Sequence, residues 1–142
     1  MVLESNSHSV GQLVYHLEWA PKYRYEMLRK PENAEMCEKA IRLMAERHGI
    51  RIVELSVMPE HIHVAAHIPS NMTVAMAEQL LKGGSSYLLF RWKPNFRKRY
   101  PKGHFWSPGK FHRTVGDMDL STTVKYIQDQ KIHQTTLTQF AP

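Results

Sequence analysis

Residues 50–68, reading IRIVELSVMPEHIHVAAHI, constrain the fold more than any other stretch of this chain. Ile52, Val53, Leu55 and Val57 are strand formers, and a second run begins at His61 and continues to Ile68. Only Met58-Pro59-Glu60 separates them, and so short a join between two strands predicts an antiparallel hairpin. In the second strand side chains alternate between faces, so Ile62, Val64, Ala66 and Ile68 can bury while His61 and His63 share the other face. Their Cα atoms would be roughly 6–7 Å apart, near enough for two imidazoles to grip one divalent cation. His67 lies on that face too, but roughly 13 Å beyond His63, out of reach of the same ion. No acid follows at useful spacing and Glu60 starts on the opposite face, so a third ligand must come from elsewhere.

The flanking chain supplies further elements. From Val10 to Trp19, Leu13, Tyr15, Leu17 and Trp19 alternate with Val14, His16 and Glu18, a strand pattern that Pro21 ends. His16 reads as structural or DNA-facing rather than as a ligand. Pro31 and Gly49 bracket a helix from about Pro31 to His48, with Cys37, Ala40, Ile41, Met44 and Ala45 on one stripe and His48 in the last turn. A helix begins near Thr73, with Val74, Ala77, Leu80 and Leu81 on its core face. Lys82-Gly83-Gly84-Ser85-Ser86 interrupts that pattern, and Tyr87 to Trp92 continues it if the glycines are tolerated at a cost or mark a bend. Lys110 to Val115 reads as a fourth strand ended by Gly116. Asp119 suits the N-cap of a last helix to about Phe140, with an apolar stripe of Val124, Ile127, Ile132 and Leu137. On it Tyr126 and Gln130, at i and i+4, share a face. The order is β-α-β-β-α-β with an added C-terminal helix over 117–140: an α+β, ferredoxin-like antiparallel sheet with its first and third strands central and helices on one face.

The chain of 142 residues fits one domain, with residues 1–8 expected to be flexible. Its formal net charge of +6 favours a polyanionic partner. The charge is placed unevenly. From Arg91 to Lys102 there are six Lys or Arg and no acid, interleaved with Trp92, Phe96 and Tyr100 and followed by Phe105 and Trp106. Cations set among aromatics suit single-stranded nucleic acid, where phosphates pair with Lys or Arg and bases stack on rings. Lys22-Tyr23-Arg24-Tyr25 repeats that composition on a smaller scale. The single cysteine, Cys37, excludes an intrachain disulfide and a Cys-rich zinc site. With no apolar run near the ~18 residues of a membrane span, the expectation is a soluble cytoplasmic protein.

Several ordered motifs together resemble the single-tyrosine HUH transposases of the IS200/IS605 type. They are Tyr15-His16-Leu17-Glu18-Trp19 followed by Lys22-Tyr23-Arg24; Val57-Met58-Pro59-Glu60-His61-Ile62-His63; Lys82-Gly83 with Ser85-Ser86; Phe105-Trp106-Ser107 with Val115-Gly116; and Lys125-Tyr126-Ile127-Gln128-Asp129-Gln130. Glu60 stands where the family more often has Asp. The resemblance implies that His61, His63 and Gln130 bind Mg²⁺ or Mn²⁺ and that Tyr126 is the nucleophile. It also implies a 5′-phosphotyrosine link, and a homodimer in which Tyr126 of one subunit can serve the His pair of the other. The substrate it implies is single-stranded DNA with hairpin-bearing transposon ends. Candidates for holding that DNA are Lys22, Arg24, Lys82, Arg91, Lys93, Arg97, Lys98, Arg99 and Trp106. The competing readings are a REP-associated tyrosine transposase, a non-catalytic nucleic-acid-binding regulator of the same fold, and an HxH metal hydrolase. The scarcity of nearby carboxylates disfavours the hydrolase.

Overall fold

The computed structural model describes residues 14–109, 111–115 and 120–130. Strands β1 (Val14–Trp19), β2 (Arg51–Met58), β3 (His61–His67) and β4 (Phe111–Val115) form one sheet in the order β2-β3-β1-β4. Every neighbouring pair is antiparallel, and β1 and β3 are central. With helices α1 (Pro31–Arg47) and α2 (Val74–Trp92) this is the expected β-α-β-β-α-β order. A third helix, α3, covers 120–130. Lys110, Gly116, Asp119, Ile132, Leu137 and the strand start at Val10 lie outside the described residues.

Local chemistry accounts for the element ends. Pro31 occupies the first turn of α1, where its missing N–H costs nothing. At the other end Gly49 takes φ 72°, Gly49 N donates to Glu46 O at 3.3 Å and Ile50 N to Ala45 O at 2.8 Å. That pair of bonds satisfies carbonyls the helix would otherwise leave open and turns the chain into β2. The hairpin closes tightly, with Met58 opposite His61 across Pro59-Glu60. Thr73 Oγ1 accepts from Met76 N at 3.0 Å and caps α2.

Helix α2 runs without interruption through Gly83-Gly84. Tertiary packing overrides the propensity of the two glycines. A Cβ on Gly84 would stand 2.1 Å from Met44 Sδ, so the bare backbone there lets α1 approach α2, whereas a Cβ on Gly83 would meet nothing within 4 Å. The next residue, buried Ser85, accepts a hydrogen bond on Oγ from Trp106 Nε1 at 2.8 Å.

The two sheet faces differ. Leu17, Trp19, Leu55, Ile62, Val64 and Ala66 pack against Cys37, Ala40, Ile41, Ala77, Leu81 and Leu89 of α1 and α2. On the other face Val14 and Ala65 pack against Ile127 of α3, with Val53 and Leu120 at the margin. His61 and His63 belong to that second face, beneath the terminal helix.

Candidate active site

The hairpin turn and the register of β1 against β3 build the site. Within β3, His61 Nε2 and His63 Nε2 stand 3.1 Å apart. Two ligands about 2.1 Å from a cation and at right angles to each other stand about 3.0 Å apart, so the pair fits adjacent positions around one ion. Each ring is also held from behind. Glu60 Oε1 lies 2.9 Å from His61 Nδ1, because Glu60 sits in the turn and not in the strand alternation that would have sent it to the opposite face. Behind His63, His16 Nε2 lies 3.2 Å from Nδ1 and Glu18 Oε1 3.6 Å from it. Protons on both Nδ1 atoms satisfy Glu60 and His16 and leave both Nε2 lone pairs facing the same point, the arrangement by which hydrogen-bond partners orient metal-binding histidines.

Electrostatics favour the ligand form. Burial, and then the neighbouring His61, lower the His63 pKa to about 4, so its ring is neutral at pH 7. At Glu60, burial pushes the carboxyl pKa up. The hydrogen bond to His61, a backbone hydrogen bond and the charges of His61 and Arg24 together outweigh burial, so the carboxyl lies below its usual range.

His16 and Glu18 were not expected at the site. His16, read as structural or DNA-facing, is buried in contact with His63, and Glu18 is paired directly across from His63. One ligand atom each from His16, Glu18 and His63 lie within 4.8 Å of one another, so this trio could also hold an ion. The Nε2 side is the better choice for a cation that must meet substrate, because His61 opens onto a cavity of about 310 Å³ while His16 is buried. Glu18 lines the same cavity and adds a carboxylate donor to the candidate ligands. Two sequence signals bore on these residues: the alternation of β1, which puts His16 and Glu18 on one face, and the Tyr15–Trp19 motif that resembles the family.

Helix α3 brings Tyr126 to this face of the sheet. The Tyr126 ring is 5.6 Å from the His63 ring and 6.4 Å from that of His16, and the side chain is 47 % exposed. Fully buried Ile127 anchors the helix against Val14 and Ala65, and Gln128 Nε2 donates to Glu54 Oε1 at 3.3 Å. Gln130 stands one turn beyond Tyr126, half-buried.

The expected DNA-binding residues divide. Lys22, Arg91 and Arg97 line a groove of about 820 Å³ between α2 and the 103–108 loop, together with Tyr87, which is 62 % exposed. Lys82 borders this groove but its Nζ donates to Ser107 O at 2.7 Å and Gly109 O at 3.1 Å, so it shapes the loop. Lys93, Lys98 and Arg99 line a second groove of about 420 Å³, where Lys93 Nζ donates to Asn33 Oδ1 at 2.8 Å. Arg24 borders the cavity beside His61.

The aromatic members of the 91–106 segment do not act as expected. Phe96, Tyr100 and Phe105 are buried in the core, and Trp106 is 6 % exposed with its indole N–H committed to Ser85. Trp106 therefore offers little ring face to a base. The hydrophobic gain from burying large rings explains why they turn inward while the cations between them stay outside. Tyr87, which lay outside the segment, and Tyr23 of the Lys22–Tyr25 patch are exposed rings, at 62 % and 66 %.

Residues 9–130 match the family described as "Transposase IS200 like". The chain is 30% identical over 121 residues to the ISDra2 transposase TnpA of Deinococcus radiodurans, covering 85% of this chain and 86% of that one. It is 32% identical over 131 residues to the transposase for insertion sequence element IS200 of Salmonella typhimurium, covering 92% and 82%. A Deinococcus radiodurans R1 crystal structure assigned to the transposases shares the fold with TM-score 0.68 and 29% identity, over 84% of this chain and 91% of that one. A REP-associated tyrosine transposase bound to a REP hairpin has TM-score 0.60 at 16% identity, over 87% and 69%, a likeness of fold alone. No helix among the described residues is long and apolar enough to cross a membrane. The chain belongs to the IS200-like transposases of the IS200/IS605 family, proteins of DNA strand transfer.

Proposed function

We propose that this transposase cleaves and rejoins single-stranded DNA at hairpin-bearing ends through a covalent link to Tyr126. The observation that carries the reading is the Tyr126 ring 5.6 Å from His63, whose Nε2 faces His61 Nε2 at 3.1 Å. His61 and His63 would hold Mg²⁺ or Mn²⁺, with Glu18 from β1 or Gln130 from α3 completing the protein donors; oxygen donors suit such hard cations. When bound, the cation supplies Lewis-acid polarisation of the scissile phosphate and orients it.

The remaining chemistry belongs to the chain. As the Tyr126 phenol gives up its proton, Oη attacks phosphorus, the bond to the 3′ oxygen breaks, and the 3′ oxygen takes up a proton and leaves as a hydroxyl, so no net proton is gained or lost. The DNA 5′ end stays joined to the tyrosine as a phosphodiester. Attack by a second 3′-OH reverses the step, so joining needs no external energy source. Glu60 and His16 keep the two imidazoles oriented. The groove lined by Lys22, Arg91 and Arg97 would track the phosphate backbone, with Tyr87 as a stacking surface.

Incubation with Mn²⁺ and single-stranded hairpins from the ends of the element should give an SDS-resistant protein–DNA adduct, and Tyr126→Phe should remove it without loss of binding. An adduct that survives in the Phe variant would overturn the assignment of the nucleophile. Free cleaved ends without an adduct would favour water as the nucleophile, and salt-sensitive binding without cleavage would favour a regulator. The fold shared with a REP-hairpin-bound transposase supports a hairpin as the substrate and keeps the REP-type partner as a second reading.

A further inference from the structure

Two consecutive residues without glycine's freedom, Tyr23 (φ 65°) and Arg24 (φ 51°), lie in the left-handed region. Side chains make this conformation costly, and adjacent occurrences persist only where the surroundings impose them. Here the surroundings do so. Arg24 N donates to Pro21 O at 2.8 Å, Lys22 N to Phe105 O at 2.8 Å, and Tyr100 Oη to Lys22 O at 2.9 Å. Tyr25 stacks on Tyr100 at 5.8 Å, and the Arg99 guanidinium lies 4.8 Å over the Tyr25 ring. The fold thus holds a strained turn, and Arg24 at its end lines the cavity of about 310 Å³ beside His61.

That cavity has a definite character. Glu18 and His61 form one wall, and Ser107 and Gly109 another, whose carbonyls are pinned by Lys82. Among its described lining residues Arg24 is the one permanent cation. We propose that Arg24 contacts the scissile phosphate there and stabilises the negative charge that builds on its oxygens as Tyr126 attacks. The inference rests on the assignment of His61, His63 and Tyr126 given above. A guanidinium is suited to the task, since its planar fork matches two phosphate oxygens and stays charged throughout. Holding its backbone in this turn fixes where the side chain starts and reduces the reorganisation it must make during reaction, which gives the strained turn a purpose. Arg24 would form and break no bond itself; the proton and leaving-group balance is that of the tyrosine step.

The test compares wild type, Arg24→Ala and Arg24→Gly in single-turnover adduct formation with Mn²⁺ and hairpin DNA, alongside binding measured by fluorescence anisotropy. The expected result for Arg24→Ala is a rate loss of about 100-fold or more with affinity within about threefold, and partial recovery with millimolar guanidinium. Arg24→Gly, which relaxes the backbone, should be as slow yet melt no lower than wild type. The inference is overturned by a rate within about threefold of wild type, by a loss carried wholly in affinity, or by a loss that guanidinium fails to restore. Failure of wild type to form any adduct would sink the tyrosine mechanism and this inference together, whereas an active wild type with an equally active Arg24→Ala sinks this inference alone.

Discussion

Glu18 and His63 stand opposite each other across the two central strands, with Glu18 Oε1 3.6 Å from His63 Nδ1. The contact lies on the far side of the ring from the nitrogen that faces His61; it is too long for a hydrogen bond, but the nearby carboxylate favours the proton on Nδ1 and so leaves the Nε2 lone pair towards His61.

Glu18→Gln keeps the shape and removes the charge. Mn²⁺ affinity measured by calorimetry should fall about 10–100-fold with the melting temperature little changed, the usual effect of losing an orienting carboxylate or a ligand. An unchanged affinity would leave Glu18 without a part in metal binding.

Tyr126 stands 5.6 Å from His63 of its own chain, and action in cis makes a definite prediction for mixed variants. Mixing Tyr126→Phe with His63→Ala should then restore no adduct, since no site in a mixed dimer would contain both groups. Recovered adduct would establish that Tyr126 of one subunit serves the His pair of the other, as the family resemblance implies. Sedimentation of the wild type would report whether a dimer forms at all.

Neighbouring glycines should respond oppositely to alanine. Gly83→Ala has open space and should stabilise by about 0.5–1 kcal/mol through helix propensity. Gly84→Ala collides with Met44, must displace that side chain, and should destabilise by about 1 kcal/mol or more after the same propensity gain. Chemical denaturation of both variants distinguishes a packing role from a bend; equal effects would remove it.

Cys37 is fully buried, and burial, followed by the charge of Glu38, pushes its thiol far above the usual range. Native protein at pH 8 should resist a thiol reagent and react with about one equivalent on unfolding. Fast labelling of the folded protein would show that α1 opens readily from the sheet.

Arg91 and Lys22 border the large groove. Replacing either with Ala should weaken single-stranded DNA binding similarly across sequences and reduce the salt slope by about one counterion. Lys98→Ala, in the other groove, tests which of the two carries the strand. A slope that changes only with Lys98 would reassign the DNA path.

Much of this protein was legible in its sequence because the relevant information is local. Strand alternation put His61 and His63 on one face, opposite Ile62, Val64 and Ala66, and Pro31 and Gly49 marked the ends of α1 within two residues. The spacing of Tyr126 and Gln130 followed from helical geometry alone. His16 and Glu18 were not legible as site residues, because they reach His63 only through the register of β1 against β3, Glu18 as its direct partner and His16 at a separation of 47 residues. Composition likewise could not say whether the rings of Phe96, Tyr100, Phe105 and Trp106 faced solvent or core, nor that Gly84 was an approach point for Met44. The sequence by itself determined periodicity, and with it the elements and the shared face of the histidines. Tertiary structure decided which groups surround them, because hydrogen-bond partners and buried neighbours are selected by contacts between elements distant along the chain.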